Sequence, residues 1–113
     1  MTAEEIFYDL DRRYGDRFHW RMLPLTDRSF VEELKRKIGK DHPLAEKRLW
    51  AVAKCDFDDR VLYLSEDGDY YIFHLTCSEH NRKGFPRYRR FSGIEETAEA
   101  IEREIGDQEE QKT

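Results

Sequence analysis

Residues 48 to 77 decide the fold. They read Arg48-Leu-Trp-Ala-Val-Ala-Lys-Cys55, Asp56-Phe-Asp-Asp59, Arg60-Val-Leu-Tyr-Leu-Ser65, Glu66-Asp-Gly-Asp69 and Tyr70-Tyr-Ile-Phe-His-Leu-Thr-Cys77. The three apolar runs, at 48 to 55, 60 to 65 and 70 to 77, are rich in aromatic and β-branched residues and are separated by acidic turns. That is the pattern of consecutive strands. Asp67-Gly68 has the chemistry of a two-residue hairpin turn, since glycine readily takes the positive φ required. It sets an expected register in which Leu64 faces Tyr71, Leu62 faces Phe73 and Val61 faces His74. The turn at Asp56 to Asp59 would put Cys55 opposite Arg60. Residues 87 to 92 offer a fourth strand after a loop containing Gly84 and Pro86.

Working outward, three helices show themselves by their ends. Thr2 with Glu5, Ser29 with Glu32 and Ser92 with Glu95 all have capping-box spacing. Each opens an apolar stripe at helical spacing: Ile6, Phe7, Leu10 and Tyr14; Phe30, Val31, Leu34 and Ile38; Ile94, Ala98, Ile101 and Ile105. Gly15, Gly39 and Gly106 stand where a left-handed stop belongs. Phe18, Trp20 and Met22 alternate as in an extended segment or short strand, and Asp41-His42-Pro43 can start a helical turn. The expected fold is α+β: a three- to four-stranded antiparallel meander flanked by two N-terminal helices and one C-terminal helix, with the helices on one face of the sheet. One domain over 1–106 is expected, followed by a flexible acidic tail at 107–113.

The 113 residues are 40% charged, yet seven Phe, six Tyr and two Trp argue for a packed core. Two cysteines make no disulfide framework, no apolar run is long enough to span a membrane, and the acidic N-terminus is unlike a signal peptide. A cytoplasmic protein with reduced thiols is the expectation. The net charge of −5 speaks against a general nucleic-acid or anionic-membrane binder. Its distribution is uneven. Residues 56 to 69 carry six acids against Arg60, residues 79 to 91 carry five bases against Glu79, and residues 94 to 113 are acidic again. Such a dipole favours steering of a charged partner.

Among chemical patterns, His74-x-x-Cys77-x-x-His80 with Cys55 nearby has ligands suited to tetrahedral zinc. The expected register opposes it, placing Cys55, Arg60, Leu75 and Cys77 on one face and His74 on the other. Cys77 with His80 could form a nucleophile pair, though no cysteine-enzyme signature surrounds them. The acidic hairpins lack the ligand spacing of a calcium loop. No cofactor is expected. The most unusual composition is Asn81 to Phe91, where bases interleave with Phe85, Tyr88 and Phe91. Arginine and tyrosine there suit a protein interface, and phosphate contacts with base stacking suit single-stranded nucleic acid.

The run Asp69-Tyr-Tyr-Ile-Phe-His-Leu-Thr-Cys-Ser78, followed by Phe85-Pro-Arg-Tyr88 and an acidic helix, resembles small, mostly uncharacterised bacterial α+β proteins. Those carry a strand reading hydrophobic-x-His-Leu-Thr-x-Ser, and some act as immunity proteins that neutralise a partner toxin by tight binding. The resemblance spans about residues 48 to 105 and carries no catalytic residue over. What it implies is a binding role. The expectation is therefore a non-enzymatic protein-binding module, with Arg87, Tyr88 and Arg89 as contacts on the basic side and Asp67 and Asp69 on the acidic side. A nucleic-acid-binding accessory protein acting through residues 82 to 90 comes second. A small enzyme or metal site using His74, Cys77 and His80 comes third. A homodimer through an edge strand is compatible with each.

Overall fold

The computed structural model describes residues 2–24, 26–38, 42–75 and 88–111, with side chains described as far as Asp107. Thr2 caps the first helix, α1 (Ala3–Tyr14), its hydroxyl accepting the Glu5 N–H at 3.2 Å, and Gly15 closes it at φ 55°. A 3-10 turn (Gly15–Arg17) leads into β1 (Trp20–Met22), so the alternation there marks a true strand. The second helix, α2 (Ser29–Lys37), departs from expectation at its start. Ser29 is already helical, and Asp27 accepts both its N–H at 2.9 Å and its hydroxyl at 2.6 Å. Ile38 closes α2, and Gly39 lies outside the described residues. Residues 42–47 form turns, through Ala45 N–H to His42 C=O and Lys47 N–H to Leu44 C=O, and not a helical turn.

Four strands and a long helix follow: β2 (Leu49–Cys55), β3 (Arg60–Ser65), β4 (Tyr70–His74), β5 (Tyr88–Phe91) and α3 (Ile94–Gln111). Before α3, Ser92 donates its N–H to Glu96 at 3.0 Å, so Glu96 and not Glu95 closes the box. Gly106 does not stop α3, because its φ stays negative, and residues expected in the tail continue the helix to Gln111. The strands form one antiparallel sheet in the order β1-β2-β3-β4-β5. The α+β meander is as expected, with five strands in place of three or four; the additional one is β1, with Trp20 opposite Cys55.

Helices cover both faces of the sheet, not one. On the first face Ile6, Phe7 and Leu10 of α1 and Ile94, Ala98, Ile101 and Ile105 of α3 pack on Val52, Ala53, Cys55, Leu62, Tyr70 and Ile72. On the second, Val31 and Leu34 of α2 with Leu44 pack on Leu49, Ala51, Val61, Tyr63, Tyr71 and Phe73. The physical reason lies in the strands: β3 and β4 are apolar on successive residues, so neither face can be left to water. Tyr63 fastens α2 down, its hydroxyl donating to the Phe30 carbonyl at 2.8 Å. Lys35 ties α2 to the following turns, donating to the carbonyls of Leu44, Ala45 and Lys47 at 2.8, 2.9 and 2.6 Å. A register shift between Ala51 and Ala53 makes Val52 the extra residue of a bulge, so Val52 and Ala53 both serve the first face.

The β3–β4 register is one residue away from expectation. Leu64 faces Tyr70, Leu62 faces Ile72, Val61 faces Phe73 and Arg60 faces His74. The turn is a three-residue loop, Glu66-Asp67-Gly68, closed by Ser65 N–H to Asp69 C=O at 2.8 Å, with Gly68 at φ 88°. A type I turn followed by a left-handed glycine uses the same Asp-Gly pair but adds a residue to the loop. The consequence is chemical. His74 shares the α1/α3 face with Cys55 and Arg60, while Leu75 belongs to the other face. Cys55 and Arg60 are neighbours as expected, with Nη2 3.7 Å from Sγ.

Candidate functional site

β5 lies at one edge of the sheet, and its four residues alternate between the two faces. Tyr88, opposite Phe73, points to the α2 face; Arg89, opposite Ile72, points to the α1/α3 face. The Tyr88 ring stacks on fully buried Phe73 at 5.0 Å and 21°, with Tyr71 at 5.9 Å and His42 at 5.4 Å beside it. It is nevertheless 39% exposed. Three neighbours therefore hold the ring while one side stays open to solvent. Arg89 and Arg90 are exposed along the same strand; the Arg89 guanidinium sits 5.1 Å from the Phe91 ring centre. Arg87 lies outside the described residues.

The acidic candidates Asp67 and Asp69 both have basic neighbours in the fold. Asp69 receives Arg90 Nε at 3.0 Å and Nη2 at 2.9 Å, and Asp67 pairs with Lys47. Acidic hairpin and basic strand therefore meet and partly neutralise each other, leaving Tyr88 and Arg89 as the open part of the set. The other turn behaves alike: Asp56 pairs with Arg21 at 2.8 Å, Asp58 with Arg60 at 2.9 Å and Asp59 with His74 at 3.2 Å. These carboxylates spread onto separate bases and do not converge, and a calcium loop needs convergence.

A second polar cluster lies under α3. Arg60, only 12% exposed in its side chain, grips Glu104 with both terminal nitrogens at 2.7 and 2.6 Å and lies 5.3 Å from the Trp20 ring centre. Burial works against the Arg60 charge, but the hydrogen bonds to Glu104 and Asp58 outweigh it and hold its pKa above the ordinary value. Beside this pair a cavity of about 100 Å³ is lined by His74, Arg89, Ile72 and Ala100 among others. Arg60 and Glu104 satisfy each other, which suits holding α3 on the sheet. Cys77 and His80 lie outside the described residues, and among those described no three His, Cys, Asp or Glu side chains gather as metal ligands. Burial raises the Cys55 thiol pKa, contrary to what a ready nucleophile needs.

Sequence reasoning missed His42 and Arg60. His42 reaches Tyr88 across 46 positions of chain and Arg60 reaches Glu104 across 44, so local pattern carries no sign of either contact. The acid-rich stripe of α3 was the one available hint that some arginine would dock there; Glu104 takes Arg60 and Glu102 takes Arg13. No described helix is long and apolar enough to cross a membrane. Comparison with protein families, with curated proteins and with solved structures finds no match, so function has to be read from this chain's own surface.

Proposed function

We propose that this chain is a non-enzymatic, cytoplasmic protein-binding module that engages its partner at the β5 edge, through Tyr88 and Arg89, with Arg87 preceding them in the sequence. The carrying observation is the held but open Tyr88 ring, stacked at 5.0 Å on a buried phenylalanine. An aromatic side chain already fixed before binding gives up little entropy when a partner covers it. Tyrosine beside arginine is the pairing that interface hot spots favour. An edge strand adds unpaired backbone groups that a partner strand or loop can meet. A role like that of an immunity protein fits this chemistry, with the positive strand steering an acidic partner and the aromatic supplying affinity.

The test is affinity capture from the lysate of the source cells at low and high salt, with the wild type and Tyr88→Ala side by side. One stoichiometric protein that survives high salt and is lost from Tyr88→Ala is the expected result. Nucleic acid that elutes steeply with salt would instead make residues 82 to 90 a phosphate-contacting segment. A partner retained equally by Tyr88→Ala would move the interface elsewhere.

A further inference from the structure

On the α1/α3 face, beside the Arg60–Glu104 pair, the cavity of about 100 Å³ has a lining of two kinds. Its sheet side is built by register. Arg89 stands opposite Ile72, and His74 lies two residues further along β4, so Arg89 and His74 are diagonal neighbours on one face. The helix α3 forms the other side with Ala100, Ile101 and Glu104. The single methyl of Ala100 leaves open a space that a larger side chain would fill. The result is an apolar half of Ile72, Ala100 and Ile101 and a polar half of Arg89, His74 and the Arg60–Glu104 pair. A cavity of about 100 Å³ holds several water molecules, and so a ligand of about six non-hydrogen atoms.

Charge says what fits. Arg60 and Glu104 cancel, with both terminal nitrogens of the guanidinium on that carboxylate at 2.7 and 2.6 Å. Arg90 takes Asp69, whereas its neighbour Arg89 has no carboxylate partner among the described residues and sits 5.1 Å from the Phe91 ring centre. His74, 46% exposed in its side chain, has Nδ1 3.2 Å from Asp59 Oδ1. A carboxylate only accepts, so Nδ1 carries the proton, and Nε2 is the ring nitrogen without a partner among the described residues. A second proton, taken up at Nε2, offsets the Asp59 charge and adds a donor to that of Arg89. These donors call for an oxyanion, and the apolar half calls for an aliphatic stem. We propose that the cavity binds a carboxylate on a short aliphatic chain, its oxygens on Arg89 and His74 and its stem on Ile72, Ala100 and Ile101. Phosphate fits less well, since it would set oxygens against three apolar side chains. A free short-chain acid and the glutamate side chain of a protein partner share this chemistry, and the test separates them. Tyr88 faces the other side of the sheet, so the site does not rest on the β5 interface, although Arg89 is common to both.

The proposal is tested by titrating the full chain with butyrate at constant ionic strength, followed by amide and side-chain chemical shifts. Butyramide, inorganic phosphate and a capped glycine–glutamate–glycine peptide with its glutamine counterpart are titrated alongside. Expected are saturable shifts centred on residues 72–74, 89 and 100–104, with a Kd of about 10 mM or tighter for butyrate. Butyramide and the glutamine peptide should give none, and phosphate should bind more weakly. A glutamate peptide that binds more tightly than butyrate makes the occupant a partner's side chain; the reverse order makes it a free acid. Arg89→Gln, at an exposed position, should weaken butyrate about fivefold or more, and Ala100→Leu should abolish binding by filling the space. Since an imidazolium attracts the anion, wild-type affinity should be higher at about pH 6 than at about pH 8, and His74→Gln should remove that difference. Butyramide binding as well as butyrate, phosphate binding more tightly, or an unchanged affinity in Arg89→Gln would each overturn the proposal. So would the absence of saturation by butyrate or the glutamate peptide at about 50 mM. Tyr88→Ala should leave the butyrate titration unchanged, which keeps its outcome separate from that of the β5 interface.

Discussion

At the scale of single residues, two side chains do more than their positions suggest. Arg60 answers Glu104 and Asp58 at once from a mostly buried site. Arg60→Ala should cost about 2 kcal/mol, less than a fully buried pair because Glu104 is partly exposed, as read from urea denaturation. Burial pushes the Asp58 carboxyl up, while hydrogen bonds from the Arg60 side chain and backbone outweigh it and hold the pKa below the ordinary value. Its contribution to stability is present at neutral pH and lost as pH falls through that lowered value. Arg60→Ala removes the guanidinium's hydrogen bond and charge while the backbone N–H remains, so burial is less opposed and the acid limb of the stability profile should move to higher pH. His42 works in the reverse sense. Burial, then the Lys35 charge, lower its pKa, and its Nδ1 accepts the Leu44 N–H at 3.1 Å, which requires that nitrogen unprotonated. Below the ordinary value of 6.5 the unfolded chain takes up a proton that the folded chain resists, so stability should fall as pH drops through that region. His42→Asn keeps an acceptor but does not titrate. Its urea midpoint should therefore change less between about pH 7.5 and about pH 5.5 than that of the wild type.

At the scale of elements, the β3–β4 hairpin is the instructive case. Gly68 at φ 88° has open space where a Cβ would go, so the constraint on it is conformational, not steric crowding by neighbours. Gly68→Ala should cost about 1–2 kcal/mol, and Gly68→Asn less, since asparagine tolerates the left-handed region better. Equilibrium denaturation of the two variants checks the order. The two edge strands differ in character: β5 presents a held tyrosine among arginines, and β1 runs beside the side of α1 that carries Glu4 and Asp11. The exposed charges of Arg89 and Arg90 also discourage unspecific pairing of the β5 edge.

At the scale of the whole molecule, one sheet separates two cores. Leu62 is buried under α1 and α3, and Leu34 of α2 is buried on the far side. Leu62→Ala and Leu34→Ala should each cost about 2–4 kcal/mol. Because they share no cluster, their double mutant should lose close to the sum, within about 0.5 kcal/mol. The cores nevertheless share every β3 and β4 backbone bond, so they should unfold together. In a Trp50→Phe background, Trp20 emission reports the first core while far-UV circular dichroism reports the whole. Coincident midpoints are expected; an earlier fluorescence transition would show that the two layers melt separately.

What the sequence by itself determined is local: the strand runs, the apolar helix stripes, the Thr2 cap, the Gly15 stop and the α+β class all follow from side-chain type and spacing along a few residues. Tyr88 and Arg89 stood out as candidate contacts by composition alone. Where the local rule admitted two answers, only the tertiary structure chose. Asp-Gly serves two-residue and three-residue hairpins alike, and the longer loop moved His74 onto the face of Arg60. Helix coverage of both faces depended on how completely β3 and β4 are buried. The contacts that make the surface what it is — His42 on Tyr88, Arg90 on Asp69, Arg60 on Glu104 — join residues far apart in the chain. Such partners are fixed by where packing brings the elements together, and no short stretch of sequence encodes that meeting.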